Sequence, residues 1–284
     1  MSLFKRRKPI PAAELQPYDK VQIARKTTRP TALDFVDGIF TDFIELHGDR
    51  CFGDDSAVIG GIAMLGDMPI TVIGIQRGHT LSENVYRNFG SAHPEGYRKA
   101  LRLMKQAEKF GRPVVTFINT SGAFCGIGAE ERGMGEAIAR NLFEMSLLRV
   151  PIISIIIGEG GSGGAIGLAA ADRVWMLSNS VYSIISPEGC ASILWKDSSR
   201  ARDAAAIMQI TADELLKLGV VERVFEEHPD GAENDLVGLA KCIKDALTSE
   251  ISELARLNVN DLTQQRYERF RKFGNEVSDG LTKQ

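Results

Sequence analysis

The 284-residue sequence contains little cysteine and little histidine, four of each, scattered along the chain. No C-x-x-C pair occurs, which argues against a zinc ribbon and against a thioredoxin-like redox centre. The histidines are too far apart in sequence to suggest a metal site, so we expect no metal on this chain. A disulfide framework is not expected in a chain of this size. The four cysteines are Cys51, Cys125, Cys190 and Cys242.

The sequence also lacks a long apolar run and a large excess of charge. No stretch approaches the roughly 18 apolar residues that a membrane span requires. The formal net charge of −3 gives no general attraction to nucleic acid or to an anionic membrane. The basic residues Lys5–Lys8 are followed by no apolar segment of the kind found in signal peptides. We therefore expect a cytoplasmic protein that binds neither nucleic acid nor membrane.

The pattern of apolar residues indicates an α/β fold. Apolar residues at helical spacing predict one helix over Thr31–Leu46, and two strand-like runs separated by Gly66 and Asp67 predict a hairpin. From Pro94 onward, strands alternate with helices, which implies parallel strands joined by helical crossovers. No Gly/Ser/Pro-rich linker divides the chain. We expect an extended N-terminal arm (1–30), one domain (31–257) and a polar helical tail (258–284).

The segment IIIGEGGSGGAIG, Ile155–Gly167, combines a strand-like run with a glycine-rich turn. Gly158, Gly160 and Gly163 match the G-x-G-x-x-G pattern of dinucleotide-binding proteins. Such a site needs an acidic residue at the end of the next strand, about 20 residues on. The next strand-like segment, RVWML, is followed by serine and asparagine instead. A dinucleotide site is therefore disfavoured.

The same segment also matches the G-x-S-x-G nucleophile elbow of serine hydrolases, through Gly160, Ser162 and Gly164. That chemistry requires an acid and a histidine downstream of the serine. Only His228 follows, and it stands in a polar segment typical of a solvated turn. A serine hydrolase that uses Ser162 remains an alternative.

A third interpretation places the chemistry in the backbone. The first N–H groups of a helix have no intrahelical partner, and glycine lets a ligand oxygen approach them closely. Adjacent Gly163 and Gly164 could direct two N–H groups at one oxygen and stabilise an oxyanion; one such donor is worth about 10²–10³ in rate. The remaining alternative is a glycine segment that serves only close packing.

Several long motifs resemble the carboxyltransferase alpha subunits of bacterial acetyl-CoA carboxylases. They are RNFGSAHPEGYRKALRLMKQAEKFGRPVVTFINTSGA, GAEERGMGEAIARNLFEM, IGEGGSGGA and YSIISPEGCASILWK, within residues 33–225. The resemblance implies a crotonase-like (ClpP-type) fold, a superhelix of repeated ββα units with flanking N- and C-terminal helices. A non-catalytic scaffold of that fold is a further alternative.

The resemblance implies an activity and partners. The expected reaction moves a carboxyl group from carboxybiotin, on a biotin carboxyl carrier protein, to acetyl-CoA, and it forms malonyl-CoA for fatty acid biosynthesis. The expected partner is a beta subunit with a zinc ribbon, in an α2β2 assembly, and a separate biotin carboxylase would use ATP.

The resemblance also implies roles for the glycines. Gly163 and Gly164 would hold the ureido oxygen of biotin as negative charge builds there. The biotin nitrogen would take the methyl proton of acetyl-CoA, so the chain needs no side-chain base. Further substrate-binding residues implied by the motifs are Ser121, Gly122, Ala123, Gly160 and Gly161.

The sequence departs from the family's usual residues at several positions. Where the family usually has DTPGAYPG, this chain has NTSGAFCG, with Asn119, Ser121, Phe124 and Cys125, and Met134 stands where glutamine is usual. We expect these changes to bear on carrier or CoA affinity.

Five basic residues cluster around the start of the helix predicted from Pro94. They form either a solvated or interface face, or a positive wall for CoA phosphates or an acidic carrier. They are Arg77, Arg87, Arg98, Lys99 and Arg102.

Overall fold

A single mixed β-sheet with helices on both faces forms the body of the protein. The computed structural model describes residues 15–228 and 231–274. The sheet has eight strands in the order β1-β2-β3-β4-β5-β6-β8, and β7 pairs with β5. The strands are β1 Thr41–Glu45, β2 Val58–Leu65, β3 Met68–Ile75, β4 Val114–Thr120, β5 Ile152–Gly161, β6 Arg173–Leu177, β7 Val181–Ser183 and β8 Arg223–Phe225.

Twelve α-helices connect and cover the strands of the described chain. They are α1 Pro17–Ala24, α2 Ala32–Ile39, α3 Leu81–Tyr86, α4 Pro94–Lys109, α5 Ile127–Glu131, α6 Met134–Leu147, α7 Ser162–Ile166, α8 Pro187–Trp195, α9 Ala201–Met208, α10 Ala212–Lys217, α11 Leu236–Leu254 and α12 Val259–Arg271. Among the described helices, none has both the length and the apolar character required to cross a bilayer.

The pairing of the strands follows the sequence pattern. β2 and β3 form the expected antiparallel hairpin, and Gly66 adopts φ +61° at its turn. The pairs β3–β4, β4–β5 and β5–β6 are parallel. The prediction of a hairpin followed by parallel crossovers is therefore confirmed.

Two apolar layers enclose the sheet. On one face, α4 and α6 contribute Tyr97 and Met145 to a core with residues of β3, β4 and β5. On the other face, α2 and α11 contribute Phe35 and Leu247. Because helices cover both faces, all seven residues of β4 are buried, including the polar Thr116 and Asn119.

The helix predicted over Thr31–Leu46 is wrong in its second half. α2 ends at Ile39, Phe40 takes extended dihedral angles, and the chain continues as β1. The apolar residues of this segment fit a helix locally, but the free edge of β2 pairs with them as a strand. Tertiary pairing therefore overrides the local pattern.

The segments expected as an extended arm and as a polar helical tail each contain a helix. The arm predicted as extended contains α1, and Val21 on this helix is 1% exposed. Residues 1–14, with the basic stretch Lys5–Lys8, lie outside the described residues, as do 275–284. In the tail, α12 buries Arg266 in the body of the protein. The division into three segments otherwise stays a prediction.

Candidate functional site

The candidate site lies where β4 and β5 end. The two strands are parallel, and Thr120 is paired with Gly160. The carboxyl ends of adjacent parallel strands meet at one edge, so the Ser121–Ala123 loop after β4 lies beside the glycine segment after β5. β5 runs on to Gly161, so the expected glycine loop is mostly strand, and the small-residue helix is only α7. The structure thus brings together the residues that the motifs implied.

The contact between the two segments is too close for side chains. A Cβ at Gly161 would lie 2.2 Å from the carbonyl oxygen of Ser121. A Cβ at Gly164 would lie 2.6 Å from the backbone nitrogen of Ala123. Close packing therefore requires glycine at both positions. Gly163 differs, because a Cβ there would meet only the side chain of Ile138, at an ordinary 3.5 Å.

The N–H groups of Gly163 and Gly164 have no hydrogen-bond partner among the described residues, and Gly164 is buried while Gly163 is partly exposed. Both stand in the first turn of α7, where no intrahelical acceptor is available. No other acceptor meets them within residues 15–228 and 231–274. The Tyr97 hydroxyl donates to the Gly164 carbonyl at 3.2 Å, and burial raises the pKa of Tyr97, which keeps this phenol protonated. Tyr97 thus holds the first turn of α7 through the Gly164 carbonyl, while the N–H groups of Gly163 and Gly164 are unpaired in the described part of the chain.

Ser162 lacks the partners of a hydrolase nucleophile. Its side chain is exposed, and its φ of +49° lies in the left-handed region, as in a nucleophile elbow. The small cleft at Ser162, about 50 Å³, is lined by Arg25, Ser121 and Glu159 among others, with no histidine among its described residues. The geometry of the turn thus fits the elbow, but the base is missing.

A larger cleft opens beside the Ser121–Ala123 loop. Its volume is about 600 Å³, and Phe89, Phe124 and Cys125 contribute to its wall. Phe124 stacks on His93 with ring centroids 4.0 Å apart. Phe89 is half exposed and has a φ of +53°, which is unusual for a bulky residue. Nothing in the sequence predicted that Phe89 lies at the site.

The structure shows the surroundings of two of the departures from the family pattern. The Asn119 Oδ1 accepts the Glu159 N–H at 3.1 Å and occupies the space where Gly158 lacks a Cβ. An amide oxygen serves here as a hydrogen-bond acceptor. Met134 is 5% exposed and packs in the core beneath α4.

The five basic residues do not form one free positive wall, so that alternative is wrong as stated. Lys99 is 1% exposed and pairs with Asp54 at 2.6 Å. Arg98 pairs with Asp49 and Arg77 pairs with Glu159, each at 2.8 Å. Arg87 and Arg102 donate to backbone carbonyls. Within the described ranges, no group of three or more His, Cys, Asp or Glu residues could hold a metal ion.

Solved structures define the fold. A transcarboxylase 12S structure with methylmalonyl-coenzyme A bound superposes with a TM-score of 0.64 at 18% identity, covering 87% of this chain and 46% of that one. A Pseudomonas malonate decarboxylase hetero-tetramer in complex with coenzyme A gives 0.62 at 15% identity, covering 89% and 97%. The fold is therefore that of the crotonase-like carboxyltransferases, as the resemblance implied.

Sequence comparison narrows the class to one family. Residues 5–274 match the family model described as acetyl co-enzyme A carboxylase carboxyltransferase-like. The chain is 62% identical over 253 residues to the carboxyl transferase subunit alpha of acetyl-coenzyme A carboxylase from Streptococcus pneumoniae, covering 89% of this chain and 98% of that one. The corresponding subunit from Clostridium acetobutylicum is 54% identical over 266 residues, covering 94% and 97%. The chain belongs to this family of alpha subunits and is a carboxyltransferase.

A third relative joins two subunits in one chain. The acetyl-coenzyme A carboxylase carboxyl transferase subunits beta/alpha of Natranaerobius thermophilus is 58% identical over 261 residues. The match covers 92% of this chain but only 43% of that protein, so the chain spans less than half of it. That longer protein thus carries the names of both subunits.

Proposed function

We propose that this chain supplies the biotin-binding half of a carboxyltransferase site. In the proposed reaction, carboxybiotin on a biotin carboxyl carrier protein provides the carboxyl group, and acetyl-CoA receives it to become malonyl-CoA. The observation that carries the proposal is the pair of unpaired N–H groups at Gly163 and Gly164, beside the Ser121–Ala123 loop. The reaction would take place in the cytoplasm and would serve fatty acid biosynthesis.

The chemistry of the site suits the ureido oxygen of biotin. That oxygen gains negative charge as the carboxyl group leaves the neighbouring nitrogen, and two fixed N–H donors stabilise such charge. Gly163 offers a ligand-side surface without a Cβ, which lets the oxygen come within hydrogen-bond distance. Gly161 packs directly against the Ser121–Ala123 loop, and Gly160 precedes it on β5.

The proposal requires a second polypeptide for the acetyl-CoA half of the site. The fused beta/alpha relative supports a beta subunit as that partner. We propose an α2β2 assembly in which a zinc-ribbon beta subunit holds the enolate of acetyl-CoA. A separate biotin carboxylase would consume ATP to load the carrier.

The isolated chain is therefore expected to transfer no carboxyl group. Because half of the site lies on the partner, malonyl-CoA-dependent carboxylation of biocytin should require both subunits. The measurement is this assay on the purified chain, on a purified beta subunit and on their mixture. Turnover by the chain alone, shown by mass spectrometry to be free of beta subunit, would contradict the two-subunit site.

The side chain of Ser162 is expected to matter little. Ser162→Ala in the αβ complex should keep kcat/KM within about tenfold, a barrier change below roughly 1.4 kcal/mol. Ser162→Gly should do the same and also remove the Cβ that disfavours φ +49°. Loss of turnover in both variants, with labelling of Ser162 by a fluorophosphonate probe, would instead support the hydrolase alternative.

A further inference from the structure

A cluster of four charged side chains lies next to the glycine segment. Glu159 is the residue before Gly160, and its side chain is only 9% exposed. Its Oε1 accepts from the Arg25 Nε at 2.8 Å, and its Oε2 accepts from the Arg77 Nη2 at 2.8 Å. Arg25 also donates to both carboxylate oxygens of Glu188, at 2.8 and 3.2 Å. The two positive and two negative charges balance within the cluster.

The cluster joins four parts of the chain that surround the site. Arg25 directly follows α1, Arg77 follows β3, Glu159 belongs to β5 and Glu188 to α8. The Arg77 Nε also donates to the carbonyl of Phe89 at 3.2 Å, which connects the cluster to the left-handed turn beside the larger cleft. Arg25 and Arg77 thus hold β5 through the two carboxylate oxygens of Glu159.

Two charges of the cluster, those of Arg25 and Glu188, persist over the working range of pH. The hydrogen bond from Arg25 holds the pKa of Glu188 down to about 2. The same hydrogen bond to Glu188 raises the pKa of Arg25. A buried carboxylate such as Glu159 is tolerated only when it is paired and hydrogen-bonded, and here both of its oxygens are.

We infer that Glu159, held by Arg25 and Arg77, is a positioning residue that fixes the direction of the Gly163 and Gly164 N–H groups. The inference rests on the proposed function of those groups. Glu159 lines the small cleft at Ser162, and only two strand residues, Gly160 and Gly161, separate it from α7. Glycine has no side chain to restrict its own backbone, so the segment needs restraint from its neighbours. The two ion pairs provide that restraint at its start, and Tyr97 provides it at Gly164.

The inference has a kinetic consequence. Donors that act on charge present in the transition state affect kcat and kcat/KM equally, whereas ground-state binding affects KM. Loosening the donors should therefore reduce kcat and leave KM for biocytin almost unchanged. A cluster that merely stabilised the fold would lower the melting temperature without this kinetic pattern.

The test compares Glu159→Gln and Arg25→Met with Lys20→Met in the αβ complex. Lys20 lies on α1, the helix that Arg25 directly follows, and its ammonium group pairs with Asp213 at 2.8 Å and not with Glu159. Glu159→Gln and Arg25→Met should each lower kcat for biocytin carboxylation at least about tenfold, with KM within about twofold. The kcat of the double variant should be no lower than that of the less active single variant, because both residues act through one network. Lys20→Met should keep the wild-type kcat.

Hydrogen–deuterium exchange provides a second readout that does not depend on activity. Amides in a peptide covering residues 158–166 should exchange faster in Glu159→Gln and Arg25→Met, and at the wild-type rate in Lys20→Met. Unchanged kcat and exchange in folded Glu159→Gln, or an equal kcat loss in Lys20→Met, would overturn the inference alone. A wild-type complex without biocytin carboxylation would overturn the proposed function, and the inference with it.

Discussion

Gly164→Ala in the αβ complex is expected to lower kcat/KM for biocytin carboxylation at least about a hundredfold, the effect of losing one oxyanion donor. A Cβ at this position would lie 2.6 Å from the Ala123 nitrogen and 2.7 Å from the Gly122 carbonyl carbon. Both atoms belong to backbone, so they cannot move aside as a flexible side chain would. Either α7 or the Ser121–Ala123 loop must shift, and the N–H groups turn away from the ureido oxygen. Gly164→Val should lose at least as much.

A second glycine provides the matched control. Gly135 is on the exposed face of α6, and a Cβ there would meet nothing within 4 Å. Gly135→Ala should keep full activity and gain up to about 1 kcal/mol of stability from improved helix propensity. Circular dichroism should show that all variants fold. Activity of Gly164→Ala within about tenfold of the wild type would show that the N–H direction is not the source of catalysis.

Much of the fold follows from local patterns in the sequence. The β2–β3 hairpin could be predicted because a turn pair separates two apolar runs, and the parallel order of β3 to β6 could be predicted from alternating strands and helices. The adjacency of the Ser121–Ala123 loop and the glycine segment also follows, since parallel strands end at one edge. The implied site residues could thus be assembled without coordinates, although their catalytic roles stay predictions.

The residues that hold the site from a distance could not be predicted. Arg25 and Glu159 are 134 residues apart, and nothing local to either one indicates the other. β1 was missed because its apolar residues fit a helix as well as a strand, and only the free edge of β2 decides between them. The left-handed backbone conformation of Phe89 could not be predicted from its residue type, because bulky residues rarely adopt this conformation. These features depend on tertiary contacts.

The C-terminal helix is the clearest case, because a segment expected to be a polar tail holds a buried ion pair. Arg266 on α12 is 1% exposed and donates to both Asp172 carboxylate oxygens at 2.8 Å. It also donates to three backbone carbonyls, those of Met145, Leu148 and Val150. These carbonyls end α6 and lead into β5, so α12 is anchored to the strand that carries the glycine segment.

Arg266→Met is expected to destabilise the protein by about 3–5 kcal/mol, the usual cost of leaving one partner of a buried ion pair uncompensated. The methionine fills the volume, but the Asp172 carboxylate stays buried and the three carbonyls lose their donor. The urea midpoint, followed by circular dichroism, measures this loss. Lys241→Met on α11 is the control, because the side chains of Lys241 and its partner Asp245 are 77% and 66% exposed and water can replace the ammonium group. That variant should lose about 1 kcal/mol or less. Equal midpoints for the two variants would show that α12 is not anchored through Arg266.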